Sequence, residues 1–337
     1  MSAFRRNLAV GAAGALAAFG LAEGALRPIS RSWHYPTGPV RTIAQYSEGT
    51  AVSRFAADGI GTYGNRLTGN EVLAGRPLVT LLGDSHLLQE AVPDRETVGA
   101  VIELASRRAG HAVNVRQYGW YATGLATYLG EAPRVRMAAP NMVVVIINEF
   151  DFGANELLNS SYWRMRVADD NSVSLRQLPV EEASGWQARA RELFARSSLS
   201  LAILRRVNQV RSLPDTRHAA APPGPPAEEV AAAPEAARLP IAGMRALRAA
   251  YGENTLVVYT PWCRPSCQEA PDPVERAVLA ACAAEKVRCF SIRNALVADQ
   301  RAHHRIHRGF HNTGPGQGHL NRHGLAVLGQ VIWQHLE

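Results

Sequence analysis

The stretch Pro77–Thr97, PLVTLLGDSHLLQEAVPDRET, decides how this sequence is interpreted. Its first six residues form a short apolar run that ends at Gly83, which is the pattern of a buried strand. The polar residues Asp84, Ser85 and His86 follow at once, so they are predicted at a tight turn between a strand and a helix. The N-terminus of that helix would offer amide donors to a negative charge.

The same alternation of short apolar runs and longer amphipathic ones continues along the chain. Strands are predicted at Pro77–Leu82, Ala112–Arg116, Asn141–Ile147, Thr255–Tyr259 and Val287–Ser291, and helices at Asp94–Ala109, Ala122–Met137, Ile241–Ala250, Pro273–Glu285 and Arg322–Leu336. Strands separated by helices predict the α/β class, with a parallel sheet covered on both faces. Reacting groups in such folds gather beyond the carboxyl ends of the strands, which directs attention to 83–86, 117–123 and 148–152.

Composition excludes collagen-like, coiled-coil and fully disordered chains. The chain has 337 residues, of which 47% are apolar and 19% charged, so it can form one large globular domain or two small ones. The net charge is 36 − 29 = +7, and Lys286 is the only lysine among those 36 cations. The arginines are scattered rather than clustered in blocks, so nucleic-acid binding is not predicted.

The first 26 residues predict the compartment. Arg5 and Arg6 precede an apolar stretch from Leu8 to Ala22, which is the pattern of an export signal. Glu23 interrupts the stretch before the length of about 20 apolar residues that a membrane span needs. Residues 1–26 are therefore predicted to be a signal peptide or an N-terminal anchor in the inner membrane, and the protein periplasmic or in the cell envelope. A buried helix of the domain is the alternative.

The rest of the chain divides into a segment at 27–76 that packs on the domain and the domain itself at 77–337. Within the domain, the Pro- and Ala-rich stretch 214–238 contains few large apolar residues, which predicts a surface excursion or disordered loop. The segment before it, Asn155–Leu213, has a helical pattern in its second half.

Cysteine and histidine spacing gives weaker indications. The four cysteines at 263, 267, 282 and 289 admit three pairings or four free thiols, and their spacing does not favour a zinc site. Four histidines, at 303, 304, 307 and 311, have a helical spacing that suits a metal. However, they lie among arginines without a carboxylate, so a solvated loop is the favoured interpretation.

A second polar string stands near the C-terminus. Gly318–Gly324, GHLNRHG, comes immediately before the last amphipathic helix. His319 at such a helix entrance is well placed to act as a base across the edge of the sheet, although a surface or capping histidine would look the same.

These strings together resemble the SGNH/GDSL hydrolase superfamily, over Pro77–Leu336. GDSH follows the first strand, a glycine the second, an asparagine the third, and HLNxxG precedes the last helix. The resemblance implies a flavodoxin-like three-layer α/β/α sandwich with a mostly five-stranded parallel sheet. It also implies a carboxylic ester hydrolase that needs no metal or organic cofactor.

The roles implied by the resemblance are carried over residue by residue. Ser85 matches the nucleophile and His319 the general base. The oxyanion hole would consist of the N–H groups of Ser85 and Gly119 and the side-chain amide of Asn148. Trp120, next to that glycine, is explained equally well as a stacking surface and as a core residue, as is Tyr121.

Two departures from the family pattern matter. The third block reads Ile146–Asp151, IINEFD, so the asparagine position is filled by Asn148 or, if Asp151 aligns with the family's aspartate, by Phe150. Asn148 is favoured because it follows the strand directly. The aspartate that commonly stands three residues before the histidine is replaced by Gly316, and loss of an orienting carboxylate is costly in other serine hydrolases.

Asp299 and Asp151 are candidates to replace that carboxylate. His86 is interpreted as a variable position of the motif rather than as a second base.

The function expected from the sequence is that of an exported serine esterase acting on an O-acyl group, such as an O-acetyl group, of a carbohydrate. One alternative is a catalytically weakened domain that binds glycans in envelope polysaccharide assembly, and another is an O-acyltransferase on the same scaffold. The expected partner is a small-molecule or glycan ester. Membrane attachment would occur only through residues 1–26, and the sequence leaves the oligomeric state open.

Overall fold

The computed structural model describes residues 14, 17–22, 24–25, 55–56, 58, 60–61, 64–89, 92–120, 123–152, 163–178, 234–263, 267–268, 270–309 and 318–336. Most of the predicted export segment and most of residues 27–76 lie outside these ranges. Among the helices that are described, none has the length and apolar character needed to cross a membrane.

The elements are numbered in chain order. The strands are β1 (Phe55–Ala56), β2 (Asn65–Arg66), β3 (Leu78–Gly83), β4 (Asn114–Gly119), β5 (Met142–Ile147), β6 (Trp163–Val167), β7 (Val173–Gln177), β8 (Thr255–Tyr259) and β9 (Arg288–Ser291). The α-helices are α1 (Ser85–Leu88), α2 (Val98–Arg108), α3 (Leu125–Gly130), α4 (Ala132–Met137), α5 (Pro234–Tyr251), α6 (Pro273–Ala284), α7 (Arg293–His303) and α8 (Arg322–Leu336). Short 3₁₀ turns occupy Asp94–Glu96 and Glu149–Phe152.

The central sheet has five strands in the order β4-β3-β5-β8-β9. All four pairings are parallel, with β3 matched to β4 from Leu78↔Asn114 to Gly83↔Gly119. Numbered by their place in the chain, these strands run 2-1-3-4-5, which is the flavodoxin-like order. The predicted fold class is therefore confirmed.

Helices cover the sheet on both faces and form two apolar cores. On one face Leu125 of α3, Met244 of α5 and Val278 of α6 share a cluster of buried residues. On the other face the cluster contains Ile102 of α2 and Leu325 of α8, together with residues of α7. The sheet is thus the middle layer of an α/β/α sandwich, and its carboxyl edge is left open for the loops after β3, β5 and β8.

Several element boundaries differ from those predicted. The helix predicted at Ala122–Met137 is two helices, because Pro133, which has no N–H, stands in the first turn of α4. The helix predicted from Asp94 begins at Val98 instead, with the Thr97 side chain accepting from the Ala100 N–H at its start.

Other elements were not predicted at all. The antiparallel hairpin of β6 and β7 and the helix α7 had no counterpart in the sequence interpretation. The excursion predicted at 214–238 extends too far, since α5 starts at Pro234, a residue that is well suited to the first turn of a helix. The remainder of that stretch and the helical pattern predicted after 178 lie outside the described residues.

The four cysteines form two bonds that are local in sequence. Cys263 is bonded to Cys267 in the loop after β8, and Cys282 is bonded to Cys289 between α6 and β9. The structure therefore selects one of the three pairings that the sequence left open.

Candidate active site

Ser85 is the first residue of α1, directly after the turn that ends β3 at the carboxyl edge of the sheet. Asp84 caps the helix, since its Oδ1 accepts the backbone N–H of His86 at 2.8 Å. Gly83 allows the close turn, because a Cβ at that position would lie only 2.9 Å from the Cβ of Leu87. The cap and the glycine together hold the serine hydroxyl above the end of β3.

His319 lies in the loop just before α8, and its ring reaches the serine. The distance from His319 Nε2 to Ser85 Oγ is 2.8 Å, although the two residues are 234 positions apart. The Gly309 N–H donates to the His319 carbonyl at 3.1 Å, which ties this loop to the chain after α7. Asn321 directly precedes α8, and its Oδ1 accepts the N–H of His323 at 3.0 Å. The predicted nucleophile and base are therefore within hydrogen-bonding distance.

Burial dominates the electrostatics of His319. It lowers the pKa of the imidazole to about 3, the positive charge of Arg308 acts in the same direction, and the carboxylate of Asp84 opposes them. The ring is thus neutral at ordinary pH and has a free electron pair for a proton from Ser85. Burial alone would raise the pKa of Asp84, but the neighbouring His86 outweighs it and brings that pKa to about 2, so the carboxyl group is ionised.

Asn148 follows β5 directly and is almost completely buried, with 1% of its surface exposed. Its Nδ2 donates to Asp84 Oδ2 at 2.9 Å, and its Oδ1 accepts the Phe150 N–H at 2.8 Å. The ring of Phe150, in contrast, is 52% exposed. Of the two candidates for the third-block position, the structure places Asn148 beside the nucleophile turn.

Asp151, one candidate for the missing carboxylate, is used locally. Its Oδ2 accepts the backbone N–H of Asn148 at 2.7 Å. Asp299, the other candidate, has its Oδ2 2.8 Å from His307 Nε2, and its Oδ1 is 3.8 Å from His303. The carboxylate contacts shown for Asp299 therefore lie within its own cluster of histidines rather than at His319.

The solvated loop predicted for the histidine cluster is wrong in part, because His303 belongs to α7 and His307 is buried. His303 and His307 approach one carboxylate, and no group of three or more His, Cys, Asp or Glu side chains suited to a metal ion occurs in the described part of the chain. His311 lies outside that part.

Gly119 has a packing role in the structure. A Cβ at this position would lie 2.4 Å from the backbone N of Leu88, at the end of α1. The next residue, Trp120, donates its N–H to the Gly83 carbonyl at 3.2 Å. Because consecutive amides of a strand point to opposite sides, the Gly119 N–H points away from β3. Its role as an oxyanion donor stays a prediction, which this orientation does not favour.

Trp120 itself is a core residue. Its ring is 2% exposed and lies 5.9 Å from that of Tyr128, so it is not a stacking surface for a ligand. Tyr121, the other residue considered for that role, lies outside the described residues.

Two residues of the site were missed by the sequence interpretation. Arg308 is 2% exposed, and its Cζ lies 4.6 Å from the centre of the Trp262 ring. The Arg308 Nη2 donates to the Pro261 carbonyl at 2.8 Å. Neither residue belongs to a motif, and an arginine in an arginine-rich chain carries no signal of its burial, so only the tertiary structure reveals them.

Comparison with other proteins gives no match at the level of sequence families. No family model matches the chain, and no curated protein sequence matches it either.

Solved structures do show similarity in architecture. The chain is similar to the lipase/acylhydrolase from Enterococcus faecalis, with 13% identity, a TM-score of 0.41 and coverage of 77% of this chain and 95% of that one. For the acetyl xylan esterase AlAXEase the values are 12%, 0.39, 77% and 100%. For a member of the lipolytic protein G-D-S-L family from Veillonella parvula DSM 2008 they are 9%, 0.36, 76% and 96%. Similarity at this level does not identify a reaction, which has to be inferred from the side chains of the site.

Proposed function

We propose that the protein is a serine esterase that hydrolyses an O-acyl ester, with Ser85 as nucleophile and His319 as general base. The observation that carries the proposal is the 2.8 Å contact between His319 Nε2 and Ser85 Oγ at the open edge of the sheet. A serine hydroxyl becomes a useful nucleophile only when an adjacent base accepts its proton. The neutral imidazole described above satisfies that requirement.

The reaction proceeds in two halves. Ser85 Oγ attacks the ester carbonyl while its proton moves to His319, and a tetrahedral intermediate forms. The bond to the leaving alcohol then breaks, and the alcohol takes the proton from His319. In the second half a water gives its proton to His319 and attacks the acyl-enzyme, and Ser85 recovers its proton as the acid departs.

The negative oxygen of the intermediate needs donors in fixed positions. The Ser85 N–H lies in the first turn of α1, where the helix leaves its amides without helical partners. The Asn148 Nδ2 uses one hydrogen on Asp84, and its second hydrogen is the other donor that we assign to the oxyanion. Gly119 would add a donor only if its amide turned from the orientation described above.

A carbohydrate in the cell envelope is the substrate class we propose, on the basis of the family resemblance and the export pattern of residues 1–26. The exposed ring of Phe150, held edge-on to Trp262 at 5.1 Å, provides an apolar surface next to Asn148. Such a surface suits the apolar face of a sugar or of an acyl group.

The experiment that tests the proposed function compares variants in the hydrolysis of 4-nitrophenyl acetate. Ser85→Ala and His319→Ala are each expected to abolish turnover, whereas the matched surface controls Ser174→Ala and His335→Ala keep the wild-type rate. Wild-type turnover in either site variant would refute the assignment.

The glycine at position 316 favours one other function strongly enough to test. Without an orienting aspartate there, the domain would serve as a weakened enzyme that binds glycans. Absent turnover of any ester, together with saturable binding of acetylated oligosaccharides that survives Ser85→Ala, would support this second function. An O-acyltransferase would instead transfer the acyl group to an added sugar acceptor, which product analysis with and without acceptor detects.

A further inference from the structure

His86, the residue after the nucleophile, has no part in the reaction described above, yet it contacts the base. The centres of the His86 and His319 rings lie 4.6 Å apart, with the ring planes inclined by 58°. We propose that His86 is a positioning residue, held between Asp84 and Arg308, that fixes the orientation of the His319 imidazole. This inference rests on the proposed esterase function.

The hydrogen bonds of His86 define one protonation state. Its Nδ1 lies 3.1 Å from both carboxylate oxygens of Asp84, and its Nε2 lies 3.1 Å from Nη1 of Arg308. A guanidinium can only donate, so Nε2 has to be the acceptor and the ring proton has to be on Nδ1. His86 is therefore a neutral imidazole with a single tautomer, bonded to an anion on one side and to a cation on the other.

This state also explains the arrangement at Asn148. Its Nδ2 is 3.3 Å from His86 Nδ1, and neither nitrogen accepts a hydrogen bond from the other when both carry hydrogens. With the His86 proton directed at Asp84, both nitrogens are donors that share the Asp84 carboxylate, and the second Asn148 hydrogen is left for the substrate. The tautomer of His86 thus keeps an oxyanion donor available.

Arg308 links the ring of His86 to the backbone that carries the base. Its Nη1 also donates to the Gly318 carbonyl at 3.2 Å, one residue before His319. The guanidinium lies over Trp262, whose ring contacts the edge of His86 at 5.3 Å. His319 is therefore held by a ring contact from His86 and, through the carbonyl of the preceding Gly318, by a hydrogen bond from Arg308.

The arrangement supplies what position 316 lacks. When His319 accepts the proton of Ser85, it becomes an imidazolium, whose charge an orienting carboxylate usually stabilises. Glycine at 316 has no side chain for this purpose. Asp84 is ionised and its charge favours protonated His319, and the His86 ring contacts both side chains. Asp84 and His86, which flank Ser85, thus bring a negative charge and a ring contact to His319.

The first test compares His86→Ala with His86→Phe, which keeps a ring against His319 but loses both nitrogen contacts. We expect kcat for 4-nitrophenyl acetate to fall by at least about tenfold in His86→Ala, with KM within about twofold, because only the geometry of the reacting groups changes. His86→Phe should lose less than His86→Ala. The matched control is His335→Phe, since His335 is an exposed histidine stacked on Phe290 at 3.7 Å. Wild-type kcat in both His86 variants would overturn the proposal.

The second test measures the protonation state of His86 in the wild-type protein. In the full chain labelled with ¹⁵N-histidine, the NMR signals of the His86 ring, identified by their loss in His86→Phe, should show the proton on Nδ1 at neutral pH. A proton on Nε2, or on both nitrogens, would overturn the proposal.

The esterase function and the positioning role of His86 can be refuted separately. Retained turnover in Ser85→Ala or His319→Ala would refute the esterase function itself. If those variants are inactive while His86→Ala keeps the wild-type kcat, only the positioning role of His86 is refuted.

Discussion

Gly119→Ala is expected to abolish the proposed esterase activity although it changes no functional group of the site. The new Cβ would lie 2.4 Å from the N and 2.6 Å from the Cα of Leu88, whereas ordinary contacts begin at 3.4 Å, so the backbone has to yield by roughly 1 Å. Leu88 belongs to the four-residue helix α1 that starts at Ser85, and so short a helix moves as a unit. Ser85 Oγ would then leave its position 2.8 Å from His319. A misplacement of about 1 Å costs about 10²-fold in rate, which is the expected loss in kcat/KM.

The assay is hydrolysis of 4-nitrophenyl acetate, with the free energy of unfolding measured in parallel by chemical denaturation. Gly110→Ala is the control, because Gly110 has a φ of +81° but no heavy atom near the new Cβ. Backbone strain should cost this control about 1–2 kcal/mol of stability and leave its rate unchanged. If folded Gly119→Ala protein keeps the wild-type kcat/KM, the packing of α1 on β4 does not set the position of the nucleophile, and the reasoning is wrong.

Three further predictions concern the oxyanion hole, a buried ion pair and pH. Asn148→Ala should lower kcat by about 10²–10³-fold, because it removes the side-chain donor to the oxyanion; an unchanged kcat would exclude Asn148 from that role. Asp94→Asn should cost about 3–5 kcal/mol in chemical denaturation, since it removes the negative charge that is paired with the fully buried Arg66. Asp169→Asn, in an exposed pair with Arg238, should cost less than about 1 kcal/mol. Equal effects would contradict this. The pKa of His319 is about 3 in the folded protein and 6.5 in the unfolded chain, so the unfolded chain binds the proton first as the pH falls. The free energy of unfolding of the wild type, relative to that of His319→Ala, should therefore fall by about 1.4 kcal/mol per pH unit between pH 6.5 and 3. A pH-independent difference would contradict the burial of that ring.

The sequence predicted the parts of the fold that depend on continuous apolar runs. Met142–Ile147 is buried on both faces and reads as a central strand, and the strand predicted before Gly83 is β3. Because the strands are parallel, their order along the chain and the polar residues at their ends were enough to bring Ser85, Asn148 and the loop of His319 to one edge.

What the sequence did not predict depends on contacts between distant segments. The helix α7 has a polar, His- and Arg-rich sequence, and only Leu296 and Val297 of its apolar residues reach the core. The burial of Arg308 depends on Trp262 and His86, which lie far from it in sequence, and no spacing rule connects them. The packing of Gly119 against Leu88 likewise belongs to the tertiary structure.

The most direct measurement of the central claim is labelling of the full chain with a fluorophosphonate probe, followed by mass spectrometry of its peptides. Such a probe reacts with serine hydroxyls that a neighbouring base has activated. A single adduct on Ser85 is expected in the wild type, with no adduct in His319→Ala and an undiminished one in His335→Ala. Wild-type protein without an adduct at Ser85, or labelling at Ser85 that does not depend on His319, would contradict the account.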